Sequence, residues 1–454
     1  MIRRALAPSV LLAVLAAVTA RAEEPLRAAV GPFSPPAKAG FRVGMAKVDM
    51  TPDLSQIAVS LNGYGDRDDA LATAVLDPVY ARALVVVDAH GGLAAIVAAD
   101  LCYVTTELRD LALAELGEDG FDGRNFLLAA THTHSSFSGY DGSRVAKLFM
   151  GEFHEEVLIR TAHAIARAVR DAKAQARPAV MSVARAWLSG FNRSRLDPSF
   201  DHARGRSLAA SADPRFALNQ RAVLVRFQAE DGTNIGAVTQ FSAHPTVLSP
   251  KNLAISADYP GVLCRRLEGA LGPGSVALFL NGSLGDLAPT PDWAESGDIE
   301  VKRMEAYGNG LADAFLGMMP ALVPTDDTRL RANSVRLPFE NLVVNVFGGV
   351  TLPGFLTGLV TTRDELTVQA MALGRLVLLA IPGEATTRAG TQLETVCENG
   401  DECIVVAPAN AYVGYIVTRD EYELDRYEAD SCFFGPDAAA WARSAIETAY
   451  RGLQ

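Results

Sequence analysis

The sequence predicts an α/β protein, with mixed β-sheets flanked by helices in one large domain and a site at the carboxyl ends of strands. Short apolar runs typical of buried strands recur along the chain, and longer helical segments lie between them. Several of these runs end directly in polar loops that carry histidine or carboxylate side chains. In α/β proteins such strand ends are where ligands usually bind.

The composition is that of an ordinary globular protein. The 454 residues are 49% hydrophobic and 21% charged, with no low-complexity tract or repeat. The formal net charge is −12, and no basic cluster is available to neutralise phosphates. We therefore expect no nucleic-acid partner.

The N-terminal stretch, residues 1–22, has the pattern of a secretory signal peptide. Arg3 and Arg4 precede an apolar stretch over 7–18, and Ala20-Arg21-Ala22 forms a cleavage pattern. The apolar part is too short for a membrane span. We expect a secreted or periplasmic protein with a flexible leader over 23–40 and a catalytic domain over 41–454.

Two of the five cysteines are close in sequence. Cys397 and Cys403 flank a segment with an Asn-Gly turn signal, and disulfides are permitted in an exported protein. This spacing favours a disulfide, with two free thiols as the alternative. An odd number of cysteines leaves at least one unpaired within the chain.

The predicted elements follow the hydrophobic pattern in chain order. Gly91-Gly92 joins two strands, and Asp231-Gly232 turns a hairpin. Asp258 is a candidate N-cap, and the last predicted helix starts near Thr386. Strands are predicted over 41–49, 81–87, 93–99, 125–129, 222–228, 235–241, 276–280, 376–381 and 404–408, and helices over 106–116, 152–174 and 257–271.

Two histidines follow the strand predicted over 125–129. His132 and His134 are two residues apart, so in an extended segment both rings would face the same way. Imidazole is a common zinc ligand, so the pair indicates half of a metal site, with two surface histidines as the alternative. His154 and His163 lie on different faces of one predicted helix and are read as surface or packing residues.

Other strand ends carry further candidates. His244 follows the strand over 235–241. Glu384 follows the strand over 376–381, where it is either a ligand or base, or an acid that complements a helix dipole. Arg193 and Arg195 lie on a polar loop, where an arginine binds a carbonyl or carboxylate or is simply solvated.

The segment over 342–360 is apolar and uncharged but interrupted by Gly348-Gly349 and Pro353-Gly354. These breaks make a membrane-spanning helix improbable. Two interpretations remain open: a loop that contacts a lipid surface or an apolar ligand, and burial inside the fold.

Taken together, these motifs resemble the neutral/alkaline (non-lysosomal) ceramidase family, and they occur in family order over most of 41–445. Each motif is weak alone, and the ordered set carries the resemblance. The matching stretches are Thr-His-Thr-His at 131–134, Asn-Arg-Ser at 192–194, Ala-His-Pro-Thr at 243–246, Gly-Asp-Leu-Ala-Pro at 285–289, Pro-Gly-Glu-Ala-Thr-Thr at 382–387 and the tyrosine-rich run from Tyr412 to Pro436.

The resemblance implies a zinc-dependent hydrolase that splits the amide of ceramide into sphingosine and a fatty acid. Its substrate would thus be a lipid or another N-acyl amide. The implied zinc ligands are His132, His244, Glu384 and Tyr415, and the implied substrate-facing residues are His134, Arg193 and, near them, Tyr427. Tyr412, three residues from Tyr415, is an alternative to Tyr415 as a ligand.

Two departures from the family pattern affect the expected activity. The family segment Gly-Asp-x-Ser-Pro carries a serine important for activity, and this chain has Ala288 there. The family usually continues into a C-terminal β-sandwich, whereas this sequence ends soon after Pro436. Both features favour a ceramidase-like amidase that lacks the motif serine and the C-terminal domain.

Three alternatives remain beside ceramide hydrolysis. The first is an amidase of the same superfamily with a different substrate. The second is a catalytically inactive lipid-binding homologue, suggested by Ala288 and by the apolar segment over 342–360. The third is a serine hydrolase built on Ser283, which is disfavoured because Asn281 stands where a nucleophile elbow needs glycine.

Overall fold

A computed structural model describes the chain from residue 40 to residue 454. The gaps in this description are 68, 144–145, 148–149, 198–199, 202–205, 208–217, 291–297, 339–343, 347–349, 353–364 and 425. The predicted signal peptide and almost all of the predicted leader lie outside the described residues, as does most of the apolar segment over 342–360.

The described residues form strands and helices in a mixed order. The strands are β1 (Arg42–Asp49), β2 (Ala74–Val75), β3 (Tyr80–Val87), β4 (Leu93–Ala99), β5 (Phe126–Ala130), β6 (Arg177–Trp187), β7 (Asn192–Ser194), β8 (Phe200–Asp201), β9 (Arg206–Ser207), β10 (Arg221–Ala229), β11 (Asn234–Phe241), β12 (Ala254–Ile255), β13 (Val276–Asn281), β14 (Leu287–Pro289), β15 (Val323–Pro324), β16 (Leu330–Pro338), β17 (Val344–Val346), β18 (Val350–Leu352), β19 (Glu365–Leu373), β20 (Leu376–Ala380), β21 (Glu384–Ala385), β22 (Glu402–Val406) and β23 (Tyr415–Ile416). The α-helices are α1 (Thr106–Leu116), α2 (Glu155–Ala174), α3 (Asp258–Leu271), α4 (Asp298–Gly317), α5 (Thr387–Glu394), α6 (Arg419–Tyr422), α7 (Tyr427–Asp430) and α8 (Ala438–Arg451).

Two mixed sheets organise these elements. The larger is a 9-stranded sheet with the order β13-β11-β10-β6-β1-β3-β4-β5 and β15 paired to β6. The smaller has the order β16-β19-β20-β22. Most neighbours are antiparallel, but β4 with β5, β11 with β13 and β20 with β22 are parallel.

The two sheets pack face to face, with helices on their outer faces. Met45 and Leu84 of the larger sheet share one buried apolar cluster with Leu378 and Ile404 of the smaller. Helices α1 and α2 cover the outer face of β1, β3, β4 and β5, and α3 and α4 cover β10, β11 and β13. Helices α5 and α8 cover the smaller sheet. The predicted α/β class with mixed, helix-flanked sheets is confirmed.

The predicted elements recur with small boundary shifts, and the sequence missed others. Helix α1 and strand β4 have the predicted bounds, and α5 begins after Thr386, whose hydroxyl caps it. Asp258 is not the N-cap of α3: it is the first helical residue, with a φ of 53°, and Ala257 precedes it. Its carboxylate accepts the backbone N–H groups of Leu248 and Tyr259 instead.

The predicted disulfide is present. Cys397 and Cys403 are bonded across a sequence separation of 6, and Cys102, Cys264 and Cys432 are buried free thiols. We expect reduction of this bond to lower the free energy of unfolding by about 2 kcal/mol, because it removes the constraint on a short loop of the unfolded chain. Urea unfolding with and without a reductant measures this. In a Cys397→Ser/Cys403→Ser variant the reductant should have no effect, and equal midpoints for oxidised and reduced wild type would contradict the expectation.

Within the described part of the chain, no helix combines the length and apolarity that a membrane crossing requires.

Candidate metal centre

The ends of strands from both sheets meet at one place. The Ala130 N–H, at the end of β5, donates to the Pro408 carbonyl just beyond β22. The Asn281 side chain, at the end of β13, donates to the Thr131 carbonyl. Because β11 lies beside β13 and β20 lies beside β22, both in parallel register, the ends of β11 and β20 reach the same place. The loops after β5, β11 and β20 are therefore brought together.

Two imidazoles and one carboxylate meet where these loops converge. Glu384 Oε2 lies 2.9 Å from His244 Nε2 and 3.4 Å from His132 Nε2. The ligand-type atoms of His132, His244 and Glu384 all lie within 4.8 Å of one another, and all three residues are buried. The two that are nearest in sequence, His132 and His244, are 112 positions apart. The fold alone joins them.

The backbone orients both rings for metal binding. The Nδ1 atom of His132 donates to the Cys102 carbonyl at 2.6 Å. The Nδ1 atom of His244 donates to the carbonyls of Leu284 at 2.9 Å and Leu287 at 3.1 Å. A ring that donates from Nδ1 presents the lone pair of Nε2 when neutral, which is how metal-bound histidines are usually oriented. Both Nε2 atoms face Glu384, so the donor set fits a divalent metal such as zinc.

The same three groups perturb each other's protonation. Burial raises the pKa of Glu384, but the charge and hydrogen bonds of His132 and His244 outweigh it and hold the pKa well below its usual value. Burial also opposes the charged form of His132, yet the Glu384 carboxylate raises the pKa of that imidazole to about 10. Burial and the positive charge of Arg195 lower the pKa of His244 to about 3. The Glu384 carboxylate therefore favours the charged form of His132, and His132 favours the charged form of Glu384.

Cys102 belongs to a second group of ligand-type atoms, with His132 and His134. Its Sγ lies 4.0 Å from His132 Nδ1. That nitrogen already donates to the Cys102 carbonyl, so the thiol faces the side of the ring that carries the proton. The group that contains Glu384 is therefore the better metal site.

The two histidines of the pair do converge, but not through an extended backbone. The Nε2 atoms of His132 and His134 lie 3.1 Å apart. His132 has a φ of 72°, in the left-handed region, so the premise of an extended loop is wrong. The left-handed backbone conformation of His132, rather than the two-residue period of a strand, accompanies the convergence of both rings on one site.

The glycine-rich loop over 61–67 packs against His134. A Cβ on Gly63 would lie 2.5 Å from His134 Cγ, so only glycine fits there without a shift. The Tyr64 ring contacts the His134 ring edge-on at 4.8 Å between centroids. Burial and the neighbouring His132 hold the pKa of His134 well below its ordinary value. The loop thus fixes a neutral imidazole beside the candidate metal ligands.

Arg67 ties this loop to both histidine loops. Its buried guanidinium donates to the carbonyls of Asn62 and His134, and also to those of Ser249 and Pro250 beyond His244. One side chain therefore crosslinks three segments of backbone through hydrogen bonds.

Both candidate tyrosines lie at the centre. The Tyr412 hydroxyl donates to Glu384 Oε1 at 2.5 Å, while the Tyr415 hydroxyl lies 3.4 Å from His244 Nε2. Tyr415 pairs in parallel register with Glu384 through β21 and β23. Tyr427 packs its ring edge-on against Tyr415 at 5.7 Å, and half of Tyr427 is exposed. Tyr412 is thus tied to the carboxylate, while Tyr415 faces an imidazole.

Arg193 lies on β7, opposite Ala288 of β14. The Leu287 carbonyl, which accepts from His244, immediately precedes Ala288. The backbone of Arg193 therefore runs beside the segment that orients His244.

His154, His163 and the serine candidate do not belong to the metal group. His163 is exposed and pairs with Glu115, and His154 precedes α2. Ser283 is buried with its Oγ against Gly390, where an added Cβ would lie 1.8 Å from it. No described histidine contacts Ser283 by hydrogen bond, so nothing in this part of the chain supports a serine nucleophile there.

Comparison with known families decides the assignment. A family model described as "Neutral/alkaline non-lysosomal ceramidase, N-terminal" matches residues 41–320 and 356–442. The chain belongs to this ceramidase family. The predicted resemblance is confirmed.

Individual relatives agree with the family. The neutral ceramidase of Mycobacterium tuberculosis is 25% identical over an alignment of 404 positions, which covers 71% of this chain and 62% of that protein. The neutral ceramidase of Pseudomonas aeruginosa is 24% identical over an alignment of 504 positions, which covers 91% of this chain and 72% of that protein. The solved structure of the Pseudomonas enzyme matches with a TM-score of 0.75 at 22% identity, covering 91% of this chain and 75% of that one. This chain therefore spans less than two thirds of the mycobacterial relative.

Sequence reasoning about this ceramidase-family chain missed several residues at the centre. Tyr412 was considered only as a substitute ligand, and the contacts of Tyr64 and Arg67 with His134 had no sequence signal beyond the glycines around them. For Arg195 the sequence left open a carbonyl or carboxylate partner and a solvated charge; the guanidinium in fact donates to the Gly285 carbonyl and pairs with Glu428. Its contact with Tyr415 was not predicted. Long-range hydrogen bonds of this kind leave no local pattern.

Proposed function

We propose that this chain is an exported zinc-dependent hydrolase of N-acyl amide bonds that splits ceramide into sphingosine and a fatty acid. The observation that carries the proposal is the buried group of two imidazole Nε2 atoms and one carboxylate oxygen in a chain of the ceramidase family. The names of the two bacterial relatives support ceramide as the substrate. The pattern of residues 1–22 supports export.

The proposed zinc ligands are His132, His244, Glu384 and Tyr415. Two neutral imidazoles with oxygen donors are a ligand set that zinc accepts. When bound, zinc would supply a Lewis acid that lowers the pKa of water towards ~7 and polarises the amide carbonyl.

The chain's own side chains would then transfer the proton of the attacking water and stabilise the negative charge that develops on the carbonyl oxygen. Neutral His134 would take up the proton released by the attacking water and return it to the departing nitrogen. The Arg193 guanidinium would stabilise the tetrahedral oxyanion, a contact worth ~3–4 kcal/mol in other enzymes. Half-exposed Tyr427 would lie near them and face the substrate.

Metal removal tests this function. We expect the purified protein to contain one zinc per chain and to release fatty acid from ceramide, because the ligand group is already assembled. A chelator should abolish release, and zinc should restore it, while magnesium should not, since magnesium prefers an all-oxygen octahedral shell. Zinc content by mass spectrometry and released fatty acid by chromatography are the measurements. Metal-free protein with undiminished turnover would refute zinc dependence.

A second candidate is a catalytically inactive lipid-binding homologue, and the observation that favours it is Ala288 at the position of the family's serine. It predicts stoichiometric ceramide binding without hydrolysis. Turnover of a non-ceramide N-acyl amide, with none of ceramide, would instead point to an amidase of the same superfamily. Peripheral membrane contact through 342–360 remains a proposal that vesicle binding by the intact chain would test.

A further inference from the structure

Arg195 is a buried cation beside the proposed metal ligands. Its side chain is only 12% exposed. Its Nη2 donates to the Tyr415 hydroxyl at 2.9 Å and also to the Gly285 carbonyl. Its Nε lies 3.1 Å from Glu428, a fully buried carboxylate that balances the guanidinium charge. Burying a charged side chain costs free energy, which its hydrogen-bond and ion-pair partners must offset. The number of these partners therefore suggests that the position of Arg195 has a role.

The contacts of Arg195 fix the direction of the Tyr415 hydroxyl. A guanidinium only donates hydrogen bonds, so the phenol oxygen must accept from it. The same oxygen lies 3.4 Å from His244 Nε2, on the side of the ring where the imidazoles and Glu384 meet. The guanidinium also lies over the Tyr415 ring at 5.6 Å from its centroid, which limits rotation of the phenol.

Arg195 is linked to His244 as well. Gly285, whose carbonyl accepts from Arg195, lies between Leu284 and Leu287, whose carbonyls accept from His244 Nδ1. The Arg195 backbone N–H donates to the Asp286 carbonyl in the same loop at 2.6 Å. One residue therefore holds both the loop that orients His244 and the hydroxyl of Tyr415.

We propose that Arg195 is a positioning residue that holds the Tyr415 oxygen and the His244 loop in metal-binding geometry, with Glu428 as its counter-ion. This inference rests on the proposed zinc site. Arg195 itself touches neither metal nor substrate. Its effect is therefore on metal affinity first and on turnover only through the metal.

The test measures zinc affinity by competition with a chelator. We expect Arg195→Met to weaken zinc binding by ~10–100-fold, as is usual when a partner of a metal ligand is lost. Tyr415→Phe should weaken it at least as much, and the double variant should lose less zinc affinity than the sum of the two single losses, because part of the Arg195 effect passes through Tyr415. Arg221→Met is the matched control: Arg221 pairs with Glu394 away from the metal group, and its loss should leave zinc affinity unchanged.

A spectroscopic readout separates positioning from stability. Copper(II)-loaded wild type should show a tyrosinate-to-metal charge-transfer band that is absent in Tyr415→Phe and weakened or shifted in Arg195→Met. Arg195→Lys keeps the charge but not the forked geometry, so it should show the same change to a smaller degree. If the methionine variant does not fold, the lysine variant decides by the same two measurements.

The outcomes distinguish the two proposals. Wild type that binds no zinc overturns the proposed function and the inference together. If Tyr415→Phe weakens zinc binding while folded Arg195 variants bind like wild type, the inference alone fails. Additive losses in the double variant also overturn it, since Arg195 would then act independently of Tyr415.

Discussion

Glu384→Gln is expected to lose zinc and, with it, turnover. Glu384 Oε1 accepts from Tyr412, and Oε2 faces both imidazoles. Glutamine keeps the shape and can keep the Tyr412 contact through its carbonyl oxygen. Its amide group would then point N–H donors at the place where a metal needs a lone pair.

The loss should exceed the ~10–100-fold cost of removing an outer partner of a metal ligand, because here a proposed ligand itself is changed. Chelator competition and fatty-acid release measure it. Glu447→Gln is the control, since Glu447 forms an i,i+4 pair on α8 and should leave both quantities unchanged. Zinc affinity of Glu384→Gln within about twofold of wild type would exclude Glu384 as a ligand.

The largest expected change in stability comes from a different residue, Arg82. It forms an ion pair with Asp100 in which the side chains are 2% and 1% exposed. Asp100 Oδ2 also accepts from the Tyr80 N–H at 2.9 Å. Arg82→Met leaves this carboxylate buried without its charge partner, which should lower the free energy of unfolding by about 3–5 kcal/mol.

Urea unfolding of the metal-free protein measures this change. In the double variant Arg82→Met/Asp100→Leu, much of the stability should return, because the unpaired charge is gone. Arg160→Ala removes a surface pair with Glu156, in which both side chains are 61% exposed, and should cost less than about 0.5 kcal/mol. A cost below about 1 kcal/mol for Arg82→Met would show that Asp100 is solvated or protonated.

Local sequence pattern was sufficient for much of the fold. The apolar runs before His132, His244 and Glu384 are strands β5, β11 and β20, and Thr386 caps a helix as its residue type suggests. Strands β16 and β19 and helices α4 and α8 were not predicted. The burial of β16, β19 and α8 depends on the second sheet and on its packing against the first, whereas α4 packs with α3 against the larger sheet.

The candidate metal centre could be predicted only in part from the sequence, because its geometry also depends on tertiary structure. The spacing of His132 and His134 predicted that both rings reach one site. The geometry of that site depends on the left-handed backbone conformation of His132, which no sequence pattern predicted. The separate contacts of Tyr412 and Tyr415 depend on which side of Glu384 each ring reaches. Arg193 and Arg195 look alike in sequence, and only β7 and its neighbours distinguish their surroundings. The roles of Arg193 and Tyr427 towards a substrate remain predictions.

The hydrogen bonds of Arg67 bear on how the protein would acquire its metal. Because one guanidinium restrains the backbone around Asn62, His134 and Ser249, these loops would be ordered before a metal binds. Ion capture would then freeze few additional bond rotations, and little binding free energy would be spent on ordering the chain. The site would thus be preorganised for metal binding. Amide hydrogen exchange along these loops should be nearly as slow in the metal-free protein as in the metal-bound protein.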